Sequence, residues 1–283
     1  MTRPRTVILT GASSGIGAVA AARLAEQGAS VAVVGRDAGR TRAVAERIGG
    51  QAFLADFDRL DDVRALAQAL LTRYDHIDVL ANNAGGLVSR RADTVDGHER
   101  TIQSNHLAPF LLTHLLLPRL IATASGQPDA DVRVVSTASV ANRFGQLRLD
   151  DLDWRRRRWS GGWRAYGTSK LATILFIREL AERLTGTGVR AYSVHPGSVV
   201  TGFGATSPLI RLGNTVTRGR YGVSADVGAV PLVSLIGRAP VGAPSGTYFD
   251  RLNANGAVNP RARDPQLARD LWDVSARLVG VSA

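Results

Sequence analysis

Short apolar runs alternate with longer amphipathic stretches along most of this 283-residue chain. In the first third, the apolar runs are rich in Val, Ile, Leu and Ala, and they end at polar residues or glycines, which predicts buried β-strands. These runs are RTVILTG, SVAVVGR, AFLADF and HIDVLANNAG. The stretches between them, of which GIGAVAAARLAEQG is the first, are typical of helices. Strands that alternate with helices predict βαβ units and a parallel sheet.

The same alternation continues to the carboxyl end. A long helical region is predicted over residues 93–124. The pattern then predicts the strand VRVVSTAS, the helix YGTSKLATILFIRELAERL, the strand VRAYSVHPG, the short strand GTYFD and the helix DPQLARDLWDVSARLVG. Because the chain has no repeat or low-complexity linker, we expect one doubly wound Rossmann-type α/β domain over residues 1–283, with helices on both faces of the central sheet. Residues 207–224 show no clear period, so we expect a substrate loop around residues 202–223.

Composition favours a soluble globular protein, since 45% of residues are hydrophobic and 21% are charged. The absence of cysteine excludes disulfides and thiolate chemistry. The apolar run near the amino end is too short for a secretory leader, so we expect a cytoplasmic protein without a membrane anchor. The longest apolar stretch, LAPFLLTHLLLPRLIATA, is interrupted by Pro109, His114, Pro118 and Arg119, which indicates a buried core helix.

The formal net charge is +11, a balance that favours acidic partners. The arginines are spread along the chain, however, and a solvated basic surface is the simpler interpretation. One exception is DWRRRRWSGGW, where Arg155–Arg158 lie between tryptophans. This run could bind a phosphate backbone by charge and stacking, although a solvated loop over buried tryptophans is more common. We therefore expect no nucleic-acid partner and keep that function as an alternative.

The stretch TGASSGIG, Thr10–Gly17, lies directly between the first strand and the first helix. Gly11 permits a tight turn, Gly15 lets a pyrophosphate approach the backbone, and Gly17 lets the helix pack closely on the strand. The amino end of the helix offers free N–H groups to an anion. At the first strand of a βαβ array, this pattern indicates a dinucleotide site.

The spacing G-x-x-x-G-x-G resembles that of the short-chain dehydrogenase/reductase family. The resemblance implies a Rossmann fold, a nicotinamide cofactor and a common set of contacts. Carried over to this chain, the implied cofactor-binding residues are Gly11, Ser13, Ser14, Gly15, Ile16, Asp56, Phe57, Asn83, Ala84, Gly85, Val199 and Thr201, together with Tyr166 and Lys170.

The second strand ends at Arg36, where NAD-binding Rossmann folds carry an acidic residue for the ribose hydroxyls. A guanidinium there matches a 2′-phosphate, so we expect NADP(H) as the cofactor. Arg40, one helical turn further, could add a contact, whereas we expect Asp37 to cap the helix. The alternative is that Arg36 is an ordinary surface arginine of an arginine-rich chain.

The chain contains a single lysine, Lys170, among 35 Lys and Arg residues. Tyr166 lies four residues before it, so on a helix both side chains share one face. A tyrosine has an ordinary pKa of about 10, and a nearby ammonium lowers that pKa by favouring the phenolate. The pattern therefore predicts a tyrosine with a lowered pKa that serves as a general acid or base. A Y-x-x-x-K pair without function is the alternative, since such pairs occur in many helices.

By resemblance, a serine at the end of the fifth strand binds the substrate oxygen. The family register falls on Ser139, with Ser136 inside the strand and Thr137 facing the other side. The resemblance also implies that Asn105 kinks its helix and anchors a water that relays protons to Lys170, although a purely structural hydrogen-bonding role remains open. We expect His195 to be structural, and we predict no metal site because the other histidines lack ligand spacing.

Several stretches, including SNHLAPFLLTHLLLP and AYGTSKLATILFIRELAERLTGTGVRAYSVHPG, resemble the retinol dehydrogenase-like and WW-domain oxidoreductase-like branch of the family. The resemblance implies an NADP(H)-dependent oxidoreductase that moves a hydride between nicotinamide and a small-molecule carbonyl or alcohol, most simply a ketone or aldehyde reductase. A homo-oligomer is common in the family. The alternatives are a non-catalytic nucleotide-binding regulator on the same fold and a nucleic-acid binder through Arg155–Arg158.

Overall fold

The computed structural model describes residues 3–126, 131–197, 223–237 and 239–283. Its centre is an eight-stranded sheet in the order β3-β2-β1-β4-β5-β6-β7-β8, in which only the pair β7–β8 is antiparallel. The strands are β1 (Thr6–Thr10), β2 (Ser30–Gly35), β3 (Gln51–Leu54), β4 (Val79–Asn82), β5 (Val132–Thr137), β6 (Val189–His195), β7 (Tyr248–Asp250) and β8 (Asn253–Ala254). The predicted doubly wound α/β fold is thereby confirmed.

Helices cover both faces of this sheet. They are α1 (Gly15–Glu26), α2 (Ala38–Ile48), α3 (Leu60–Arg73), α4 (Arg100–Ile102), α5 (Ala108–Ser125), α6 (Trp163–Arg183), α7 (Ala225–Ile236) and α8 (Pro265–Val279). One core joins α1, α2 and α7 to one face, and a second core joins α3, α5, α6 and α8 to the other. Neighbouring residues of a strand serve opposite cores, as Ile8 and Leu9 do, which explains why the strands read as continuous apolar runs.

The strand order reverses between β1 and β4, which are paired by Val7↔Val79 and Leu9↔Ala81. Chain segments leave the carboxyl ends of these two strands toward opposite sides, so a crevice opens above them. In open α/β sheets, ligands bind at this reversal point. The glycine loop after β1 and the NNAG stretch after β4 both lie there.

The long helix predicted over residues 93–124 begins later than expected. Asp93 and Glu99 form an isolated antiparallel bridge, and the helix starts at Arg100. The carboxylate of Glu99 caps it by accepting hydrogen bonds from the N–H groups of Thr101 (2.8 Å) and Ile102 (3.0 Å). A buried glutamate as a cap is uncommon, and the polar pattern of residues 93–99 did not separate a loop from a first helical turn.

Two short elements were not predicted from the sequence. Helix α7 is strongly apolar and packs on α1, and strand β8 pairs with the predicted strand β7 after a turn of two residues, Arg251 and Leu252. The exposed side of α7 also carries apolar residues, Val227 and Val230, so the helix shows little of the amphipathic stripe that periodicity needs.

A buried arginine ties α7 to the sheet. Arg133 is fully buried in β5, where it forms an ion pair with Asp131. Its guanidinium also donates to the carbonyl oxygens of Leu235 (2.7 Å), Gly237 (3.2 Å) and Ala239 (2.9 Å) at the end of α7. This positive charge therefore serves the fold, because a guanidinium with five donors satisfies many acceptors at once.

The run Arg155–Arg158 is also used within the fold. Three of its four arginines bind nearby acceptors, and Arg157 lies 3.8 Å from the centre of the Trp154 ring. The contacts are Arg155 to the Gly97 carbonyl (2.7 Å), Arg156 to Asp150 (2.5 Å) and Arg157 to Asp151 (2.9 Å). These contacts favour the solvated-loop interpretation over a nucleic-acid site.

Among the described residues, one helical stretch, Arg100–Ser125, is long and apolar enough to cross a membrane. Of its most apolar window, 56% is buried within the fold, where α5 packs against β4 and β5. Such burial is typical of the core helix of an α/β protein.

Close packing at Gly17 gives a first testable prediction. A Cβ at this position would lie 2.2 Å from the carbonyl oxygen of Gly11, so Gly17→Ala should lower the free energy of unfolding by about 2–3 kcal/mol. At Gly39 in α2 the nearest atom to such a Cβ is 3.6 Å away, and Gly39→Ala should instead stabilise by about 0.5–1 kcal/mol. Urea unfolding of both variants would test the difference, and equal effects would contradict the predicted packing.

Candidate active site

The glycine loop crosses directly over the NNAG stretch. Gly11 has a φ of +66°, and a Cβ there would lie 2.8 Å from Cα of Ala84. Gly15 also has a positive φ, of +55°. Only glycine allows both the left-handed turn and this close backbone approach, so the loop forms the base of the crevice as predicted.

The amino end of α1 faces the crevice without a cap. Its N-cap residue, Ser14, makes no side-chain hydrogen bond to the helix, and the first turn contains no acidic residue. Ser13 packs on β2, since a Cβ on Gly35 would lie 2.9 Å from the Ser13 Cβ. The N–H groups of this turn therefore suit a pyrophosphate, which is the fit that a dinucleotide needs.

Asn83 and Thr10 tie the ends of three strands together. The side-chain amide nitrogen of Asn83 donates to the Thr10 carbonyl (3.1 Å), and the side-chain oxygen of Asn83 accepts a hydrogen bond from the Thr137 hydroxyl (3.1 Å). The hydroxyl of Thr10, fully buried, accepts hydrogen bonds from the N–H groups of Asn83 and Ala84, both at 3.0 Å. This network holds the crevice floor in place, and it gives Asn83 a structural role beside the predicted cofactor contact.

Arg36 lies at the carboxyl end of β2 with an exposed side chain. It forms no hydrogen bond or ion pair with the described part of the chain, so its guanidinium is available to a ligand there. Asp37 caps α2 as predicted by accepting from the N–H of Arg40 (2.9 Å), and the Arg40 side chain pairs with Asp37 at 3.3 Å. Arg36 is therefore better placed than Arg40 to bind a phosphate.

Asp56 and Phe57, which the resemblance implies as cofactor-binding residues, follow β3 at the carboxyl edge of the sheet. The Asp56 carboxylate accepts a hydrogen bond from the N–H of Asp58 (3.1 Å), and Phe57 is buried. The Phe57 carbonyl accepts a weaker bond from Gln103 (3.4 Å). The structure thus places both residues at the expected edge.

Ser139 and Tyr166 meet at the carboxyl end of β5. Their side chains are hydrogen-bonded to each other, and both residues are buried. Ser139 precedes a short 3-10 helix, Val140–Phe144, and accepts a hydrogen bond from the N–H of Ala141 (3.2 Å). Tyr166 lies in the first turn of α6. The predicted serine–tyrosine pair is therefore assembled, and Ser136 lies inside the strand.

Lys170 lies on the same face of α6, one turn after Tyr166. Its ammonium is 5.6 Å from the centre of the Tyr166 ring and donates to the Thr137 carbonyl at 2.8 Å. The residue is only 4% exposed, and burial lowers the pKa of Lys170 to about 8. A cation is thus held against the crevice with one described acceptor.

The pKa of Tyr166 differs from the sequence-based expectation. Burial raises it to about 12, and the hydrogen bond with Ser139 opposes this shift only in part. The expected net lowering of this pKa is therefore wrong, because desolvation of the phenolate is the largest cause of the shift. At neutral pH, the phenol is protonated and is a proton donor.

Asn105 bridges the crevice floor to α6. Its side chain exchanges two hydrogen bonds with the backbone of Gly86, both at 2.9 Å, and donates to the hydroxyl of Ser169 (3.0 Å). A Cβ on Gly85 would lie 2.8 Å from the Asn105 oxygen and 3.5 Å from the Lys170 ammonium.

The helix around Asn105 departs from α-helical geometry, since Gln103–Leu107 forms a π-helix between α4 and α5. This agrees with the predicted kink, and such bulges occur often at functional sites. The proton-relay role of Asn105 stays a prediction, and its structural role is visible in these contacts.

His195 ends β6 beside the crevice and is buried. Burial lowers its pKa, with opposite contributions from Asp250 and Arg251, so the imidazole is neutral at pH 7. The predicted contacts from Val199 and Thr201 lie outside the described residues, as does the predicted substrate loop apart from Val223.

Sequence reasoning missed three residues that organise the site. Thr10 orders the NNAG backbone, Ser169 holds Asn105, and the Thr137 carbonyl receives Lys170. For Thr137, the sequence analysis predicts only a side chain that faces the other side of the strand. Each of the three adjoins a predicted site residue or motif in sequence, which is a usable signal, but only the fold shows where their hydroxyl and carbonyl groups point.

The sequence profile of the short chain dehydrogenase family matches residues 5–149 and 157–208. A Streptomyces sp. (strain C5) protein assigned provisionally as the daunorubicin C-13 ketoreductase DnrU is 41% identical over 288 residues, covering 99% of this chain and 94% of that protein. Retinol dehydrogenase 13 of Homo sapiens is 36% identical over 293 residues, covering 99% and 86%.

Solved structures show the same relationship. An uncharacterized protein from Mycobacterium paratuberculosis is similar with a TM-score of 0.79 and 35% identity, over 99% of this chain and 95% of that one. The Pseudomonas aeruginosa RhlG/NADP complex has a TM-score of 0.66 and 29% identity, over 88% and 94%. An NADH-dependent reductase of alginate metabolism, A1-R′, has a TM-score of 0.67 and 26% identity, over 88% and 95%. Similar structures therefore include both nicotinamide dinucleotides.

The buried ammonium predicts a pH-dependent effect on stability. Below pH 8, Lys170 is charged in both the folded and the unfolded chain, and folding must bury that charge. Lys170→Met removes this cost, so the substitution should raise the free energy of unfolding by about 3 kcal/mol at pH 7. Between pH 8 and the ordinary lysine value of 10.5, the folded chain releases the proton while the unfolded chain keeps it. The wild type therefore gains stability as pH rises, and the difference shrinks.

Urea unfolding of the wild type and Lys170→Met between pH 7 and pH 10.5 measures this difference. Lys170→Arg is the matched control, because a guanidinium stays charged over the range and should bring no gain. Parallel pH profiles for the wild type and Lys170→Met would contradict the lowered pKa.

Proposed function

Since this chain belongs to the short-chain dehydrogenase/reductase family, in its retinol dehydrogenase-like branch, we propose that it is an NADP(H)-dependent ketone or aldehyde reductase. The observation that carries this proposal is the hydrogen-bonded Ser139–Tyr166 pair with the buried Lys170 ammonium beside it. All three groups lie at the carboxyl edge of the sheet, next to the uncapped helix of the glycine loop.

The side chains divide the chemistry between them. Ser139 orients the substrate oxygen by hydrogen bonding, and Tyr166 exchanges a proton with that oxygen. The ammonium of Lys170 favours the phenolate that remains after the proton has left. Asn105 fixes the Gly86 backbone by two hydrogen bonds, and this backbone forms the crevice wall next to Lys170. The bound nicotinamide supplies or accepts the hydride.

The raised pKa of Tyr166 favours carbonyl reduction. A phenol with a pKa of about 12 keeps its proton at neutral pH and can give it to a developing alkoxide, which is a stronger base than a phenolate. Alcohol oxidation would instead need the phenolate, the form that burial disfavours. We therefore propose the reductive direction.

The cofactor preference rests on Arg36. Its exposed guanidinium stands where an acid would select NAD, and it has the planar donor fork that suits a 2′-phosphate. The relatives do not decide between the two cofactors, since similar structures include one with NADP and one described as NADH-dependent. The local charge of this chain is the argument for NADP(H).

Named relatives suggest the class of substrate. One carries the name of a ketoreductase for daunorubicin and another that of a retinol dehydrogenase, so the names refer to a ketone substrate and to an alcohol substrate. A ketone or aldehyde is our proposal here. A cytoplasmic location, one domain over the whole chain and a homo-oligomeric state remain predictions.

Removal of the Tyr166 hydroxyl tests the proposed proton donor. Tyr166→Phe should bind NADPH with unchanged affinity and lose at least about a thousandfold in kcat for carbonyl reduction. NADPH depletion against a panel of ketones and aldehydes gives the rate, and calorimetry gives the affinity. Tyr74→Phe is the matched control, because that hydroxyl has no hydrogen-bond partner among the described residues and Tyr74 lies directly after α3, away from the Ser139–Tyr166 pair. Full activity of Tyr166→Phe would sink the proposal.

Substitution of Arg36 tests the cofactor preference. Arg36→Leu should raise the KM for NADPH about tenfold to a hundredfold and leave the KM for NADH within about twofold, since only NADPH carries the 2′-phosphate. Arg42 is also exposed but lies on α2, so the control Arg42→Leu should change neither KM. Equal effects of Arg36→Leu on both cofactors would show that Arg36 is a surface arginine without a binding role.

A further inference from the structure

Two exposed aromatic side chains lie beside the Ser139–Tyr166 pair. Phe144 is 73% exposed and Trp163 is 38% exposed. In the ranges that the structure describes, every other aromatic side chain is buried or half-buried. Exposed rings are unfavourable in water, and exposed apolar groups near a site mark a binding surface more often than scattered ones do. Their position next to the proposed reaction centre suggests that a ligand covers them.

Trp163 is held on the Tyr166 side of the crevice. It is the first residue of α6, one turn before Tyr166, and the two rings meet edge to face with their centres 6.5 Å apart. Gly162, just before it, has a φ of +82°, and a Cβ there would lie 1.9 Å from the Val88 carbonyl oxygen. The start of the helix is thereby pressed onto the segment after β4, so the indole has a defined place.

Phe144 is held on the Ser139 side. It is the last residue of the 3-10 helix that follows Ser139. A Cβ on Gly167, the residue after Tyr166, would lie 3.5 Å from the Phe144 carbonyl carbon, and one on Gly145 would lie 2.7 Å from the Gly167 carbonyl oxygen. The backbone that carries the phenyl ring therefore touches α6 directly beside the catalytic tyrosine.

We propose that Phe144 and Trp163 are specificity residues that bind a planar aromatic group of the carbonyl substrate. The inference rests on the proposed function and deepens it. One ring belongs to the serine side of the reacting oxygen and the other to the tyrosine side, so a planar group attached to the carbonyl carbon can contact both. Stacking and edge contacts of this kind favour aromatic ligands over small aliphatic ones.

Steady-state kinetics with two ketones tests this specificity. For 2-acetylnaphthalene, Phe144→Ala and Trp163→Ala should each raise the KM about tenfold, the effect of losing one aromatic contact, with little change in kcat. For butan-2-one, which is too small to contact both rings, the KM should change by less than about twofold. Val230→Ala, at an exposed apolar residue of α7 on the opposite face of the sheet, should affect neither ketone.

Trp163→Phe is the control for an indirect effect through Tyr166, whose ring contacts Trp163. This variant keeps an aromatic ring, so it should retain most of the affinity for 2-acetylnaphthalene. If Phe144→Ala and Trp163→Ala alter both ketones equally, or neither ketone, the specificity role is wrong.

An equilibrium measurement separates this inference from the proposed function. Calorimetric titration of 2-acetylnaphthalene into the NADPH complex should show binding that weakens about tenfold in Phe144→Ala and in Trp163→Ala. If the wild type binds the aryl ketone in this ring-dependent way but reduces no carbonyl, the reductase proposal fails and the aromatic site stands. If it reduces butan-2-one and binding of the aryl ketone is ring-independent, only the aromatic site fails.

Discussion

The site depends on one unfavourable interaction, the burial of the Lys170 ammonium. An ammonium that leaves water loses hydration that a protein interior seldom replaces, and the lowered pKa of Lys170 expresses this loss. The Thr137 carbonyl, at 2.8 Å, compensates for part of it. The remaining cost must be met by the packing of α6, whose inner face is buried along its length against two core clusters. The buried Lys170 ammonium therefore lowers the stability of the fold, and it does so at the position where the proposed reaction uses a positive charge.

The need to place this charge explains the tight contacts around α6. Lys170 reaches the Thr137 carbonyl at the end of β5 only if the helix starts at a fixed position along the strand. Two glycine contacts set that position: Gly145 and Gly167 on one side, and Gly162 against the Val88 backbone on the other. Because these contacts join backbone to backbone, they leave little freedom to slide. The same contacts also bring Ser139 and Tyr166 together. The position of the proton donor and the position of the Lys170 charge therefore depend on the same backbone contacts.

Much of this architecture could be predicted from the sequence, for identifiable reasons. Strand runs such as VILT and VAVVG are buried on both sides, and the glycine loop has few structural alternatives, so the fold and the crevice followed from local pattern. The pairing of Tyr166 with Lys170 needed only helical spacing and the rarity of lysine. What failed was the pKa of Tyr166, because desolvation depends on how many atoms surround the phenol, and that is a property of the packed structure. The kink near Asn105 was implied by the resemblance, but its π-helical form was not. The Glu99 cap was missed because a buried glutamate is an uncommon cap.

The contrast between Arg133 and Lys170 explains why an arginine-rich chain keeps one lysine. Arg133 is as buried as Lys170, yet it has Asp131 and three carbonyl oxygens to satisfy its wide fork. At Lys170, the described acceptor is one carbonyl, and the Gly85 backbone and the Tyr166 ring lie close on other sides. A guanidinium there would leave several donors without partners in a space sized for a compact ammonium. A lysine can also give up its proton when buried, whereas an arginine cannot. The single lysine thus stands where small size and an adjustable charge are both required.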